Sequence, residues 1–112
     1  MTEFIVTTTD RRIGVITPKG RLNLVSAKQL TEAITGLIAD GTNRIVVDLA
    51  TTEFMDSSGL GALIAGLKTA RQAGGDLRLA RPTQQILTVL SLTNLDRVLR
   101  PRDTVDGAFD VV

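Results

Sequence analysis

A chain of 112 residues with 13 Lys+Arg, 12 Asp+Glu and a formal net charge of +1 is large enough to bury a core without metal or disulfide, yet lacks the basic excess that binding a phosphate backbone requires. It has no Cys and no His, which excludes thiol chemistry and the usual zinc and imidazole sites. Three Phe with no Trp or Tyr leave few platforms for stacked bases. One domain over residues 1–112 is expected, with no linker, no internal repeat, no cofactor and no metal. The N-terminal MTEFIVTTTDRR is not a basic region followed by an apolar one, so no signal peptide is read and a cytoplasmic location is expected. The apolar run Ala62 to Leu67 is far short of a membrane span of about 20 residues.

Phe4 to Thr9 and Ile13 to Thr17 are β-branched runs around Asp10-Arg11-Arg12, which predicts an opening hairpin, with Pro18 and Gly20 ending its second strand. Ser26 and Gln29 have capping-box spacing, and Ala27, Leu30, Ala33, Ile34, Leu37 and Ile38 follow at helical spacing until Asp40-Gly41. Ile45-Val46-Val47-Asp48-Leu49 is nearly all apolar, the pattern of a central strand buried on both faces. After Phe54-Met55-Asp56-Ser57-Ser58-Gly59-Leu60-Gly61, the stripe Leu60, Leu63, Ile64, Leu67 turns basic at Lys68 and Arg71 before Gly74-Gly75, predicting a second helix. Leu77 to Arg81 alternates as a strand nearer the sheet edge would, and Pro82-Thr83 open a third helix to about Ser91. Thr93-Asn94-Leu95 suits an Asn in left-handed conformation closing that helix. Residues 96–99 are read as a last short strand, Thr104 to Phe109 as a short helix, and Arg97, Arg100 and Arg102 as a solvated edge rather than a nucleic-acid site. Alternating strands and helices give an α/β fold: a mixed, mostly parallel sheet of four to five strands with about four helices packed on it.

The stretch from Phe54 to Gly61 carries the chemistry worth weighing. In its simplest role a serine caps the following helix and the glycines permit close packing. A cap needs one hydroxyl, however, and here two stand behind an acid at the carboxyl end of a strand, where ligands of open α/β sheets gather. Catalysis by a serine fails for want of a base: there is no His, and the nucleophile elbow needs Gly where Met55 or Asp56 stands. The phosphate-cradling G-x-x-x-x-G-K-[ST] is absent, and Asp56 would repel an anion. There remains a serine of the pair, Ser57 or Ser58, as phosphoacceptor for another protein's active site, adding about −1.5 to −2 charges. The helix dipole would favour that charge by about 0.3–1 kcal/mol, so its effect would fall on a docked partner rather than on the fold.

Ile45 to Leu49, the motif Phe54 to Gly61 and the later Leu90-Ser91-Leu92-Thr93-Asn94-Leu95 together resemble, in order and spacing, the STAS-domain anti-sigma-factor antagonists. D-S-S-G-L-G between strand and helix is the specific part, and the likeness runs over essentially the whole chain. The resemblance implies a STAS-like α/β domain, not an enzyme, that binds an anti-sigma factor with a serine kinase fold and so frees the sigma factor in a stress response. It further implies that the kinase phosphorylates the first serine, Ser57, that a serine phosphatase restores it, that Asp56 flanks the acceptor in the partner interface, and that Ser58 and Gly59 hold the loop and helix start. Many family members carry acids where Arg21 and Asn23 stand in this chain, in a loop near the kinase contact, so this chain offers that partner a different charge. Beside Asn23, the pair Leu24 and Val25 is expected to be buried under the helix; exposed, it would suit a partner surface. The alternatives are a module sensing a nucleotide or other anion at the same helix start, or a scaffold subunit of a stress-signalling complex. Neither direct nucleic-acid binding nor membrane association is expected.

Overall fold

The computed structural model describes residues 3–99 and 101–109. Strand β1 (Glu3–Thr8) and strand β2 (Ile13–Leu22) form the expected antiparallel hairpin, in register from Thr8↔Gly14 to Glu3↔Lys19. The Thr9 hydroxyl accepts from the N–H groups of Arg11 and Ile13 at 3.3 and 3.2 Å, and Arg12 takes the positive φ of 61° that so tight a return requires. Pro18 and Gly20 do not end β2, as the sequence suggested. The strand runs on because it serves two parallel partners in turn: strand β3 (Arg44–Asp48) against Ile13 to Ile16, then strand β4 (Thr52–Met55) against Gly20 to Leu22. Gly20, at φ 97°, sits at the register shift between the two.

Helix α1 (Leu24–Ala39) follows β2, and helix α2 (Ser57–Gln72) follows β4. Strand β5 (Asp76–Ala80) pairs parallel with β3 from Arg44↔Asp76 to Asp48↔Ala80, giving the sheet order β1-β2-β3-β5 with β4 on β2. The sequence showed no sign of β4. Helix α3 (Gln84–Leu92) ends at Asn94, whose φ of 59° is the left-handed closure expected there. The next residues restart as a single helical turn, α4 (Asp96–Leu99), so the strand expected over 96–99 is absent. What lies beside β5 is Arg102, bridged to Ala80. The segment expected as a helix from Thr104 to Phe109 is a run of turns that lays Ala108 and Phe109 on the sheet.

Most of the core lies between the sheet and the helices, where Ile16, Ile45, Val47, Leu77 and Leu79 meet Leu30 and Ile34 of α1 and Leu63 and Leu67 of α2. Full burial of such a side chain stabilises by about 1.5–3 kcal/mol. Gly66 lets the two helices close up, since a Cβ there would stand 2.5 Å from Ile34 Cδ1. The opposite face is smaller: Ile13, Val15, Val46 and Ala80 under Ala108 and Phe109, with the guanidinium groups of Arg44 and Arg78 5.7 and 4.7 Å from the Phe109 ring. Of the expected solvated arginines, Arg97 is exposed, Arg102 is half-buried, and Arg100 lies outside the described residues.

Candidate functional site

Leu22 and Met55 are paired across β2 and β4, and the chain turns into a helix directly after each. Asn23 and Asp56 are therefore N-cap residues standing side by side at one edge of the sheet, about 5 Å apart by strand spacing. A further bond from the Asp56 N–H to the Leu22 carbonyl, 3.2 Å, ties the two starts together.

The caps are not the ones the sequence favoured. At α1 the box is Asn23 with Ser26, rather than Ser26 with Gln29. Asn23 Oδ1 accepts from the N–H groups of Val25 and Ser26, both at 3.2 Å, while Ser26 Oγ accepts from the Asn23 N–H at 2.8 Å and donates to the Arg21 carbonyl at 2.6 Å. At α2 the cap is Asp56 rather than a serine: its Oδ1 accepts from Ser58 N–H at 2.9 Å and Gly59 N–H at 3.1 Å. Carboxylate, hydroxyl and amide oxygens all serve as N-caps, so the displacement is a competition among good candidates. Its result is that Ser57 and Ser58 stand at the first two helical positions with neither hydroxyl drawn into a hydrogen bond among the described residues. Ser57 is exposed and Ser58 half-buried.

Gly59 is buried, and a Cβ on it would stand 2.7 Å from the Leu22 carbonyl oxygen and 2.9 Å from Leu22 Cβ. Its contribution to this surface is to let α2 begin against β2. Leu24 and Val25 are not covered by α1, as the simpler expectation had it; they are 74% and 73% exposed at its first two positions. Alongside them opens a groove of about 430 Å³ bordered by Gly20, Arg21, Asn23, Val25, Gln29 and Glu53, with the Arg21 guanidinium 4.8 Å from the Phe54 ring. Sequence reasoning missed Gln85. From α3 its side-chain amide accepts from the Met55 N–H and donates to the Met55 carbonyl, both at 3.3 Å, bracing β4 one residue before the cap. A lone Gln near a helix start offers no pattern that would have revealed this.

Asp48, at the end of β3, is 4% exposed and could pass for a catalytic acid, but its carboxylate is occupied by Arg81 Nε at 3.1 Å, by Arg81 Nη2 and by the Ala50 N–H at 3.2 Å. The hydrogen bonds Arg81 donates to Asp48, and then the Asp48 charge, raise the Arg81 pKa above its ordinary value, and the ion pair itself clamps β3 to the residue that follows β5. Among the described residues no group of three acids gathers to hold a metal, and no helix is long and apolar enough to cross a membrane.

A family model described as the STAS domain matches residues 4–108. A Thermotoga maritima protein, named as a candidate anti-sigma factor antagonist, has a crystal structure that superposes with a TM-score of 0.86 at 31% identity over 94% of this chain and 90% of that one. An anti-sigma factor antagonist from Mycobacterium paratuberculosis matches with a TM-score of 0.85 and 27% identity, over 96% of this chain and 91% of its own. The anti-sigma-B factor antagonist of Staphylococcus aureus is 31% identical over 81% of this chain and 84% of its own length.

Proposed function

The chain belongs to the STAS domain family, and on that premise we propose that it is a non-enzymatic anti-sigma-factor antagonist, binding an anti-sigma factor of serine-kinase fold and switched off by phosphorylation at Ser57. The observation that carries the reading is the Asp56 cap. Because the carboxylate takes the helix N–H groups, Ser57 is left exposed with its hydroxyl uncommitted, in a chain that holds no His to act as a base. Base and phosphoryl donor then belong to the partner, and a serine phosphatase reverses the step. Ser58 is the less accessible of the two, which agrees with the choice of the first serine that the family likeness implies.

Docking covers Asn23, Leu24, Val25, Asp56 and Ser57. The exposed Leu24 and Val25 supply apolar area, and Asn23 and Asp56 supply a polar rim. A phosphoryl dianion beside Asp56 must be desolvated against that partner and repelled by the neighbouring carboxylate, at a cost of about 4 kcal/mol, roughly a thousandfold in affinity. An anion-sensing role draws less support, since Asp56 already occupies the N–H groups a free phosphate would use.

Affinity capture with the wild type and with Ser57→Asp tests the proposal. A kinase-fold protein retained by the wild type and lost from the variant supports it, as does a single added phosphate on Ser57 after incubation with that protein and ATP. Equal capture by both chains places the partner surface elsewhere and overturns it.

A further inference from the structure

The sheet has three strands with an outer side, and the fold covers two of them. Gln85 takes the Met55 N–H and carbonyl on β4, and Arg102 bonds the Leu79 carbonyl beside the end of β5. The third, β1, has no such cover among the described residues. Exposed edge strands are ordinarily blunted by Lys, Pro or a bulge. Apart from Glu3 at its start, β1 has no charge and no proline, its register with β2 is unbroken, and Ile5 and Val6 are 43% and 46% exposed.

The hydrogen-bonding parity of this edge is fixed. The Thr9 N–H donates to the Ile13 carbonyl at 2.9 Å, and antiparallel pairs alternate, so Thr7 and Ile5 also direct their backbone groups to β2, while Phe4, Val6 and Thr8 direct theirs outward. Pro18 agrees with this: paired with Phe4, it has no N–H to offer.

We propose that β1 is a self-association edge, pairing antiparallel with β1 of a second copy about a two-fold axis through Val6. The occupant is a second copy because the strand is its own complement. With Val6 opposite Val6, Phe4 falls opposite Thr8, so all three outward-facing residues meet one another in pairs that exchange two hydrogen bonds each. The pairs are apolar or hydroxyl-bearing and no charge faces a like charge. The helices do not obstruct the approach. α1 packs over β2, so three strand spacings put the two α1 helices about 14 Å apart, beyond the 8–10 Å or so of packed helices. One strand pair is a small interface, below roughly 1,200 Å², and therefore exchanges with monomer.

Since the chain has no cysteine, Val6→Cys gives a single trap at the axis, where the paired Cα atoms lie about 5.5 Å apart, within disulfide reach. Oxidation, or a short bismaleimide, is expected to link Val6→Cys into dimers at least about tenfold faster than Lys28→Cys, an exposed control on α1. A mixture of Phe4→Cys and Thr8→Cys is expected to give mainly the heterodimer. Sedimentation of the wild type should show a concentration-dependent dimer that Val6→Pro, which removes only an outward N–H, and Val6→Lys, which sets two ammonium groups face to face, both abolish while circular dichroism is retained. A wild type that stays monomeric up to about 1 mM, or a dimer that Val6→Lys leaves intact, overturns the proposal. So does cross-linking at position 6 no faster than at position 28.

Discussion

Two helices begin side by side on the same sheet edge, and each start treats its serine differently. Ser26, third in α1, is 2% exposed and engaged on both sides of its hydroxyl, to the Asn23 N–H and the Arg21 carbonyl. Ser57, first in α2, is exposed and unengaged, because Asp56 performs the capping by itself. The residue type is the same and the difference is two positions in a helical turn: the third position looks back at the cap, the first looks away from it. A serine behind an acidic cap is thereby released from structural duty, whereas one that reciprocates an amide cap is consumed by the fold.

The contrast can be broken at four points. Gly59→Ala should do most, destabilising by about 3 kcal/mol in chemical denaturation despite the better helix propensity of Ala, because the new methyl meets the Leu22 carbonyl oxygen at 2.7 Å and separates α2 from β2. Ser26→Ala strands a half-buried N–H and a carbonyl, and should lose about 2 kcal/mol by the same measurement. Asp56→Ala removes only the cap and should cost about 1 kcal/mol, read as a small drop in melting temperature. Ser57→Ala should change stability by less than about 0.5 kcal/mol while abolishing phosphate incorporation by the partner kinase. If Ser57→Ala proved as costly as Ser26→Ala, the two helix starts would not differ in the way described.

Long periodic segments were legible in the sequence: α1, α2, α3, β3 and β5 stand within a few residues of their expected bounds. What was not legible depends on distant partners. Thr52-Glu53-Phe54-Met55 is too short to announce itself, and exists as β4 because β2 extends past β3 and because Gln85, 30 residues on, takes its last backbone groups. Asp96 to Leu99 was equally short, and there the left-handed turn at Asn94 launches a new helical turn instead of a strand. Within the candidate site, the sequence marks out Asp56, Ser57, Ser58 and Gly59 as a helix start, but not which of them caps, since acid and hydroxyl do so about equally well. Nor could the exposure of Leu24 and Val25 be read, because apolar residues at the start of an amphipathic pattern look like part of its buried stripe.

The bond from Asp56 to Leu22 joins parts of the chain 34 residues apart in sequence, so the presented serine exists only once α1 and β3 have been threaded between them. A peptide cut from 54–61 carries every letter of the motif and none of this scaffold: no neighbouring Asn23 start, no Leu22 carbonyl, no Gln85 brace. On the proposed function, an enzyme that modifies Ser57 would read a finished tertiary shape, and nascent or damaged copies of the chain would be silent to it.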